Sequence, residues 1–260
     1  MQRRKFLQHS FLAATAVTTG ANVANAATVD KKSKEFYELR VYEMHFGSNQ
    51  SLLEDYFKNA LIPAFNKYGV KNVGVFRELG KSDPAKIYVL IPYASMEDYL
   101  SVNAKVKADD DFIKNSTAYN AIPAEKPVYN RYDSWHMIAF DGMPKLIVPN
   151  SAPRIFELRT YESYSEDAGR RKIKMFNDGE FPIFYRSKLT PVFFGEVISG
   201  ENMPRLTYMI TFPNMEEHDK AWAAFLSDPD WKKMTADPQY ANTVSNIIKT
   251  FLEPVVYSQI

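Results

Sequence analysis

A short motif occurs twice in this chain and constrains its fold more than any other feature. Residues 37–43, YELRVYE, return at 156–162 as FELRTYE, and 157 less 38 gives a separation of 119 residues. The same separation relates further pairs: Pro63 and Pro182, Phe65 and Phe184, Val73 and Val192, Ile91 and Ile210, Met96 and Met215, Asp109 and Asp228. A constant separation indicates one structural unit that is duplicated without large insertions.

The first 26 residues have the pattern of an export signal. Arg3-Arg4-Lys5 form a basic start, residues 11–17 are modestly apolar, and Ala24-Asn25-Ala26 offer a small-residue cleavage site. This order is typical of a twin-arginine signal that is cut after Ala26. The apolar run is shorter than the ~20 residues that span a membrane. We therefore predict export to the periplasm or the extracellular space, without stable membrane insertion after cleavage; a retained anchor and a cytosolic tail are the alternatives.

Charge and cysteine content exclude several kinds of partner and site. The 32 basic residues less the three in the signal leave 29 basic against 31 acidic residues. Nucleic-acid binding needs a concentrated basic face, and after the signal the dense basic cluster is confined to residues 170–174. Cysteine is absent, which excludes disulfides and cysteine nucleophiles. The composition predicts no nucleic-acid partner.

Hydrophobic periodicity predicts the same order of elements in both halves. Residues 36–44 alternate with period two, and residues 51–68 have helical spacing, with a kink or an early end at Pro63 and a stop at Gly69. Further elements are expected as follows: strands at 70–79, 86–92, 129–140 and 251–257, and helices after Ser95 and Asn214. Strand, helix, strand, strand, helix, strand is the order of a ferredoxin-like unit.

The predicted fold class is α+β, with two tandem ferredoxin-like repeats whose antiparallel sheets face each other as an α/β barrel. One such unit covers a single face of its sheet with helices, so the other face needs a partner, most simply the other repeat. The predicted segments are an N-terminal linker at 27–35, repeat 1 at 36–140, a linker rich in proline at 141–153, and repeat 2 at 154–260. Closure between two chains of a homo-oligomer is the alternative.

The chain resembles the NIPSNAP family, whose domains belong to the dimeric α/β-barrel superfamily. The resemblance rests on Glu-Leu-Arg-x-Tyr-Glu in both first strands, on Met-Glu at both second helices, and on Phe225-x-x-Asp228-Pro229-x-Trp231. In the first half the last motif is weaker, with Val106, Asp109 and Phe112 at the matching places. The resemblance spans essentially the whole chain after the signal. It implies the fold but no single reaction, since the family has none established.

Polar residues of the repeated strand are the candidate ligand-binding residues. Alternate residues share one face of a strand, and that face carries Glu38, Arg40, Tyr42, Glu157, Arg159 and Tyr161. If the helices cover the apolar face, these six line the barrel cavity. An arginine fork can hold a ligand carboxylate, and burial can raise a glutamate pKa to a value that suits proton transfer. The alternative role is structural, because buried charges need partners and the Glu and Arg can pair.

Histidines and acidic clusters offer weaker candidates. His136 is a further candidate for the cavity lining, with a buried structural histidine as the alternative, whereas His218 lies between acidic residues and is expected to be solvated. No histidine has the spacing of a metal site. Asp109-Asp110-Asp111 lacks the features of a calcium loop, so we expect helix capping or a solvated loop there. We predict no metal and no cofactor, and we assign no catalytic residue.

Two classes of function remain open. The first is an exported module that binds a small molecule or takes part in an interaction. The second is a cofactor-independent enzyme, of the oxygenase, isomerase or cyclase type, which acts on a small organic molecule in the barrel cavity. A packed interior with satisfied Glu–Arg pairs favours the module, whereas an open cavity with an unpaired Glu or His favours the enzyme. We favour the module.

Overall fold

The computed structural model describes residues 33–80 and 82–260. The predicted signal, its cleavage site and most of the N-terminal linker lie outside these residues. None of the helices within the described ranges has the length and apolar character needed to cross a membrane.

Eight antiparallel strands form one closed barrel within a single chain. The strands are β1 Phe36–Met44, β2 Gly74–Glu78, β3 Lys86–Tyr93, β4 Tyr129–Ala139, β5 Ile155–Glu162, β6 Thr190–Ser199, β7 Arg205–Phe212 and β8 Asn246–Pro254. Around the barrel the order is β1-β3-β2-β8-β5-β7-β6-β4. Each repeat therefore supplies a four-stranded ferredoxin-like sheet, and the sheets join at β2–β8 and β4–β6. The predicted fold class is confirmed.

Helices cover the outer face of both sheets. They are α1 Gln50–Tyr56, α2 Ile62–Lys67, α3 Met96–Lys107, α4 Asp110–Asn115, α5 Thr117–Asn120, α6 Glu166–Met175, α7 Phe181–Arg186, α8 Met215–Ser227 and α9 Pro229–Thr235. Hydrogen bonds to cap side chains start the predicted second helices: Ser95 Oγ accepts from Asp98 N at 3.2 Å, and Asn214 Oδ1 accepts from Glu217 N at 2.9 Å. The expected capping role of Asp109 is also confirmed, since its carboxylate accepts from Phe112 N at 2.9 Å.

A π-helical segment joins the first two helices of each repeat. The segments are Phe57–Leu61 and Phe176–Glu180, again 119 residues apart. In the first, Ile62 N–H donates to the Phe57 carbonyl five residues back, immediately before Pro63. Proline cannot donate to the carbonyl four residues earlier and its ring clashes with it, so the helix widens before the proline instead of ending there. The expected early end at Pro63 is wrong, whereas Gly69 has the positive φ of a helix stop.

The described residues form three apolar clusters. One lies inside the barrel and contains side chains from both repeats: Tyr37, Leu39, Val41, Phe76, Leu90, Met137, Phe156, Leu158, Phe193, Met209 and Leu252. The other two lie between each sheet and its own helices. Because Tyr37, Leu39 and Val41 point into the barrel, the alternating residues of β1 point towards the helices.

Two chain segments pack against the same end of the barrel, the base end, where β1 begins and β3 ends. Ile147 N donates to the Val192 carbonyl at 2.9 Å, and Gln259 N donates to the Val73 carbonyl at 3.0 Å. Leu146 and Ile260 pack their side chains against the barrel cluster. Since Val73 and Val192 are equivalent positions, the segments after β4 and β8 follow the same approximate twofold symmetry as the strands.

Several strand boundaries differ from the sequence prediction, and the largest differences are at the starts of β8 and β2. β8 begins at Asn246, five residues before the expected Phe251, and β2 begins at Gly74. The early part of β8, residues 246–249, is exposed, and its two isoleucines, Ile247 and Ile248, are adjacent in sequence, so it lacks the apolar alternation that marks the other strands.

Candidate functional site

None of the seven predicted site residues lines the barrel. Glu38, Arg40, Tyr42 and His136 lie between the first sheet and its helices, and Glu157, Arg159 and Tyr161 lie between the second sheet and its helices. The inward orientation assumed for them is wrong. The interior of an eight-stranded barrel is narrow. On the helix side the buried charges find hydrogen-bond partners, from neighbouring strands in repeat 1 and also from α8 in repeat 2. A role of these residues in ligand binding stays a prediction.

In repeat 1 the Glu38–Arg40 pair is bidentate. Arg40 donates from Nε to Glu38 Oε1 at 2.7 Å and from Nη2 to Oε2 at 2.9 Å. Glu38 also accepts from Tyr93 Oη at 3.1 Å and from Ser134 Oγ at 2.9 Å. Burial by itself would raise the pKa of Glu38, but the charge and hydrogen bonds of Arg40 outweigh burial and hold that pKa below its ordinary value. This arrangement is that of a satisfied structural pair.

In repeat 2 the equivalent pair has different partners. Arg159 donates a single bond, from Nη1 to Glu157 Oε1 at 2.9 Å, while its buried Nε has no partner among the described residues. Glu157 Oε2 accepts from Trp222 Nε1 at 2.8 Å and lies 3.2 Å from His218 Nε2. The Arg159 guanidinium stacks 4.2 Å above the Trp222 ring. Repeat 2 therefore holds its arginine less completely than repeat 1.

Two histidines pack against aromatic rings in corresponding layers. His136 lies 4.9 Å from Tyr99 in repeat 1, measured between ring centroids, and its buried Nε2 has no partner among the described residues. His218 lies 5.1 Å from Phe251 in repeat 2. Its Nδ1 also lies 2.8 Å from Asp219 Oδ1, so both of its ring nitrogens face carboxylates. The expectation that His218 is solvated is wrong, because α8 turns that position towards the sheet.

Repeat 2 has a further buried ion pair that has no counterpart in the described part of repeat 1. Lys172 donates from Nζ to Glu180 Oε1, and both side chains are buried. The ammonium also lies 4.4 Å from the centre of the Phe176 ring. Burial raises the pKa of Glu180, although the nearby charges of Lys172 and Arg159 act in the opposite direction. At the equivalent positions of repeat 1, Leu53 and Leu61 are buried in the apolar cluster.

The barrel interior becomes polar towards its far end, where β1 ends and β7 begins. Tyr88 donates from Oη to Glu78 Oε1 at 2.8 Å, while Glu78 Oε2 is buried without a partner among the described residues. Thr160 Oγ1 and Thr207 Oγ1 lie 2.9 Å apart. Burial raises the pKa of Tyr88, and its hydrogen bond to Glu78 adds to the shift. The far half thus combines apolar walls with hydrogen-bonding groups.

Arg205 and Trp135 complete this polar region. Arg205 is 4 % exposed, and its guanidinium lies 4.0 Å from the centre of the Trp135 ring. The buried atoms Arg205 Nε, Arg205 Nη2 and Trp135 Nε1 have no partner within the described ranges. Burial lowers the pKa of Arg205, with the charges of Glu162, Glu201 and Asp133 acting against it.

The repeated motif does not indicate these inward residues. The signal that points to them lies in β7, where Arg205, Thr207, Met209 and Thr211 alternate with apolar residues. Residues 207 and 209 point inward with the barrel cluster, so Arg205 does as well. When the polar face of such a strand points into a barrel, the barrel interior is polar at that strand.

Comparison with known proteins places this architecture in a family. The NIPSNAP family model matches residues 37–126 and 156–259, one match in each repeat. No functionally curated protein matches the chain. An uncharacterised NIPSNAP-like domain protein from Burkholderia xenovorans is 16% identical, covers 40% of this chain and 88% of its own, and has a TM-score of 0.37.

Two solved structures extend over most of the chain. A candidate monooxygenase from Lactobacillus acidophilus NCFM is 12% identical, has a TM-score of 0.56, and covers 85% of this chain and 94% of its own. Another candidate monooxygenase, from Fusobacterium nucleatum subsp. nucleatum ATCC 25586, is 11% identical and has a TM-score of 0.55. It covers 86% of this chain and 93% of its own. At these identities they share the fold alone. With one family match in each repeat and a closed barrel built from both, this chain belongs to the NIPSNAP family.

Proposed function

We propose that this protein is a module that binds a small molecule in the far half of its barrel. The observation that carries the proposal is a set of four buried polar atoms on the inward faces of the far half, without partners in the described part of the chain: Glu78 Oε2, Trp135 Nε1, Arg205 Nε and Arg205 Nη2. Leaving a buried polar group unpaired costs about 1–3 kcal/mol, and more for a charged group. A polar ligand offsets this cost when it supplies the missing partners.

The rest of the barrel supports a site of limited size. Its base half is filled by fully buried side chains such as Tyr37, Phe156 and Phe193, and the segments carrying Leu146 and Ile260 pack against that end. Eight-stranded barrels can hold one small ligand. The satisfied Glu38–Arg40 pair also favours the module, because it gives this part of the repeated motif a structural role.

Native mass spectrometry of the purified protein tests the proposal. We expect a bound small molecule in the wild type, and about tenfold lower occupancy in Glu78→Gln and Trp135→Phe because each change alters one inward polar group. Glu196→Gln is the matched control, since Glu196 is exposed on a neighbouring strand. A wild-type protein without any bound molecule, whose melting temperature is unchanged by a broad set of polar metabolites, contradicts the proposal.

A cofactor-independent enzyme is the second candidate, and Glu180 is the observation that favours it. This buried carboxyl has a raised pKa and lies in a layer with aromatic side chains, whereas repeat 1 has Leu61 at its position. A buried carboxyl with a raised pKa can exchange a proton with a reacting group. Incubation of the extracted small molecule with the protein, followed by mass spectrometry, should then reveal a product that Glu180→Gln no longer forms. An unchanged molecule rejects the enzyme.

Export is part of the proposed function. Arg3-Arg4-Lys5 and Ala24-Asn25-Ala26 support it, and the predicted mature protein begins at Ala27. N-terminal sequencing of protein recovered from the periplasm and from the culture medium tests this prediction. Functional protein that retains Met1 in the cytoplasm contradicts it.

A further inference from the structure

Arg205 presents two hydrogen-bond donors on one edge of its guanidinium. Nε and Nη2 are the two nitrogens of that edge, and both are buried without a partner in the described ranges. A carboxylate matches this edge with two parallel bonds. The charges of Glu162, Glu201 and Asp133 act on Arg205, yet none of these side chains bonds to either nitrogen. The edge is therefore available to an acceptor from outside the described residues.

The same edge holds carboxylates elsewhere in this protein. Arg40 uses Nε and Nη2 to hold Glu38 at 2.7 and 2.9 Å. Arg186 uses Nε and Nη2 to hold Asp228, both at 2.6 Å. These two pairs give the geometry that a carboxylate bound to Arg205 would adopt.

The surroundings of Arg205 restrict the movement of its guanidinium. Arg205 Cζ lies over the Trp135 ring, 4.0 Å from the ring centroid. Gly200 approaches so closely that a side-chain carbon built on it would lie 3.0 Å from Arg205 Nη2 and 3.1 Å from the Trp135 ring. An arginine held in this way loses little freedom when it binds a planar acceptor.

The opposite wall of the barrel carries an acceptor. Glu78 is on β2, and β8 and β5 separate this strand from β7 in the ring of eight. Glu78 Oε1 already accepts from Tyr88, so Oε2 remains to accept a hydrogen bond from a ligand. A molecule that satisfies both walls has a carboxylate at one end and a hydroxyl or amine at the other.

We infer that the barrel binds a small hydroxy- or amino-carboxylic acid, with the carboxylate on Arg205 Nε and Nη2 and the donor group on Glu78 Oε2. Trp135 Nε1 supplies a further donor to the carboxylate end. The inference rests on the proposed binding function and names the ligand class of the same site. It assigns Arg205 and Glu78 as the two residues that determine specificity.

Matched probe pairs test this inference. Isothermal titration calorimetry compares ω-hydroxy acids, from glycolate to 6-hydroxyhexanoate, with the primary amide of each. We expect one or more of the acids to bind, and its amide to bind about tenfold to a hundredfold more weakly, because the amide lacks the charge and one of the two acceptor oxygens. Arg205→Lys keeps the positive charge and removes the fork, so the affinity of this variant for the acid should fall by a similar factor.

Control variants separate the carboxylate fork from general effects. Arg77→Lys, at an exposed arginine on the outer side of β2, should bind the acids as the wild type does. Glu78→Gln should weaken binding of the hydroxy acid more than binding of the acid that lacks the hydroxyl. If Arg205→Lys does not fold, the ¹⁵N resonance of Arg205 Nε in the wild type replaces it: this signal should shift with the acid and stay in place with the amide.

The outcomes distinguish the ligand class from the binding function. Equal binding of acid and amide, or an Arg205→Lys variant that binds the acid like the wild type, overturns the inference. If native mass spectrometry then finds a bound molecule without a carboxylate, the proposed function stands and the ligand class is wrong. If no acid binds and no bound molecule is found, both are wrong.

Discussion

Lys172 and Glu180 form a buried ion pair in repeat 2, at the positions that correspond to Leu53 and Leu61 in repeat 1. Both leucines belong to the apolar cluster between the first sheet and its helices. Breaking such a pair leaves a buried charge uncompensated, whereas replacing both partners by apolar residues is often neutral or stabilising. We expect Lys172→Leu alone to lower the free energy of unfolding by roughly 3–5 kcal/mol. The double variant Lys172→Leu with Glu180→Leu, which copies repeat 1, should equal or exceed wild-type stability, by up to about 4 kcal/mol.

Urea unfolding of both variants measures the difference. A double variant as unstable as the single one would show that the pair stabilises this layer in a way that apolar packing does not replace. Leu53→Lys with Leu61→Glu, the reverse exchange in repeat 1, is the matched control and should be destabilising.

The two equivalent arginines should differ in their contribution to stability. Arg40 makes two charge-assisted bonds to Glu38, whereas Arg159 makes one to Glu157, which keeps its contacts with Trp222 and His218. We expect Arg40→Met to lower the free energy of unfolding by roughly 3–5 kcal/mol and Arg159→Met to cost less. Thermal and urea unfolding of the ligand-free variants measure this. Two variants that melt like the wild type would remove the structural role and favour ligand binding by these arginines.

Glu38 and Glu180 should influence stability with opposite dependence on pH. The pKa of Glu38 lies below its ordinary value of about 4.5, so the unfolded chain binds more protons there and stability falls as pH decreases through and below 4.5. The pKa of Glu180 lies above 4.5, so the folded protein binds more protons there than the unfolded chain does. Stability therefore falls as pH rises above 4.5.

Unfolding from about pH 3 to about pH 8 tests both signs. The Glu38→Gln variant should lose less stability than the wild type on acidification. The wild type should lose stability relative to the variant with both Lys172→Leu and Glu180→Leu as pH rises above about 4.5. Parallel profiles for wild type and variants contradict the assigned shifts.

A duplicated clamp should control the local opening of α4 and α9. Arg186 bonds to Asp228 and Asp230 at the start of α9, and Lys67 bonds to Asp109 and Asp111 at the start of α4. Hydrogen bonds from Arg186 hold the pKa of Asp228 at about 2. We expect Arg186→Ala to accelerate amide hydrogen exchange in α9 with little effect on global unfolding, because the Arg186 side chain is 43% exposed.

Lys67→Ala is the matched comparison for the clamp. It should accelerate exchange in α4 and leave α9 unchanged. Uniform acceleration over the whole protein in either variant would mean that the clamp supports the fold globally.

The duplication and the order of elements could be predicted from sequence because they depend on local patterns that recur at a constant separation. The cap at Ser95 and the turn at Gly69 are local as well, and both are confirmed. The face of a strand that points into the barrel does not depend on local sequence. Residues 37–42 show the same alternation whether their odd-numbered or their even-numbered side chains point inward. The packing of both repeats around one barrel determines which of these two orientations forms.

The same reason explains the missed residues. His218 is flanked by charges in sequence, but its contact with Glu157 depends on how α8 lies across the sheet. Trp135 and Arg205 lie 70 residues apart and meet only because β4 and β7 both border β6. Contacts that depend on barrel closure are not encoded by any single window of sequence.

Because both halves of the barrel belong to one polypeptide, a side chain can occur in one repeat without occurring at the equivalent position of the other. Arg205 on β7 corresponds to Lys86 on β3, and Trp135, opposite Leu39, corresponds to Thr250, opposite Leu158. A barrel assembled from two identical chains would present each of these groups in duplicate and would accept a ligand in two equivalent orientations. In the proposed binding mode, a molecule with unlike ends would have a single preferred direction of insertion in this chain.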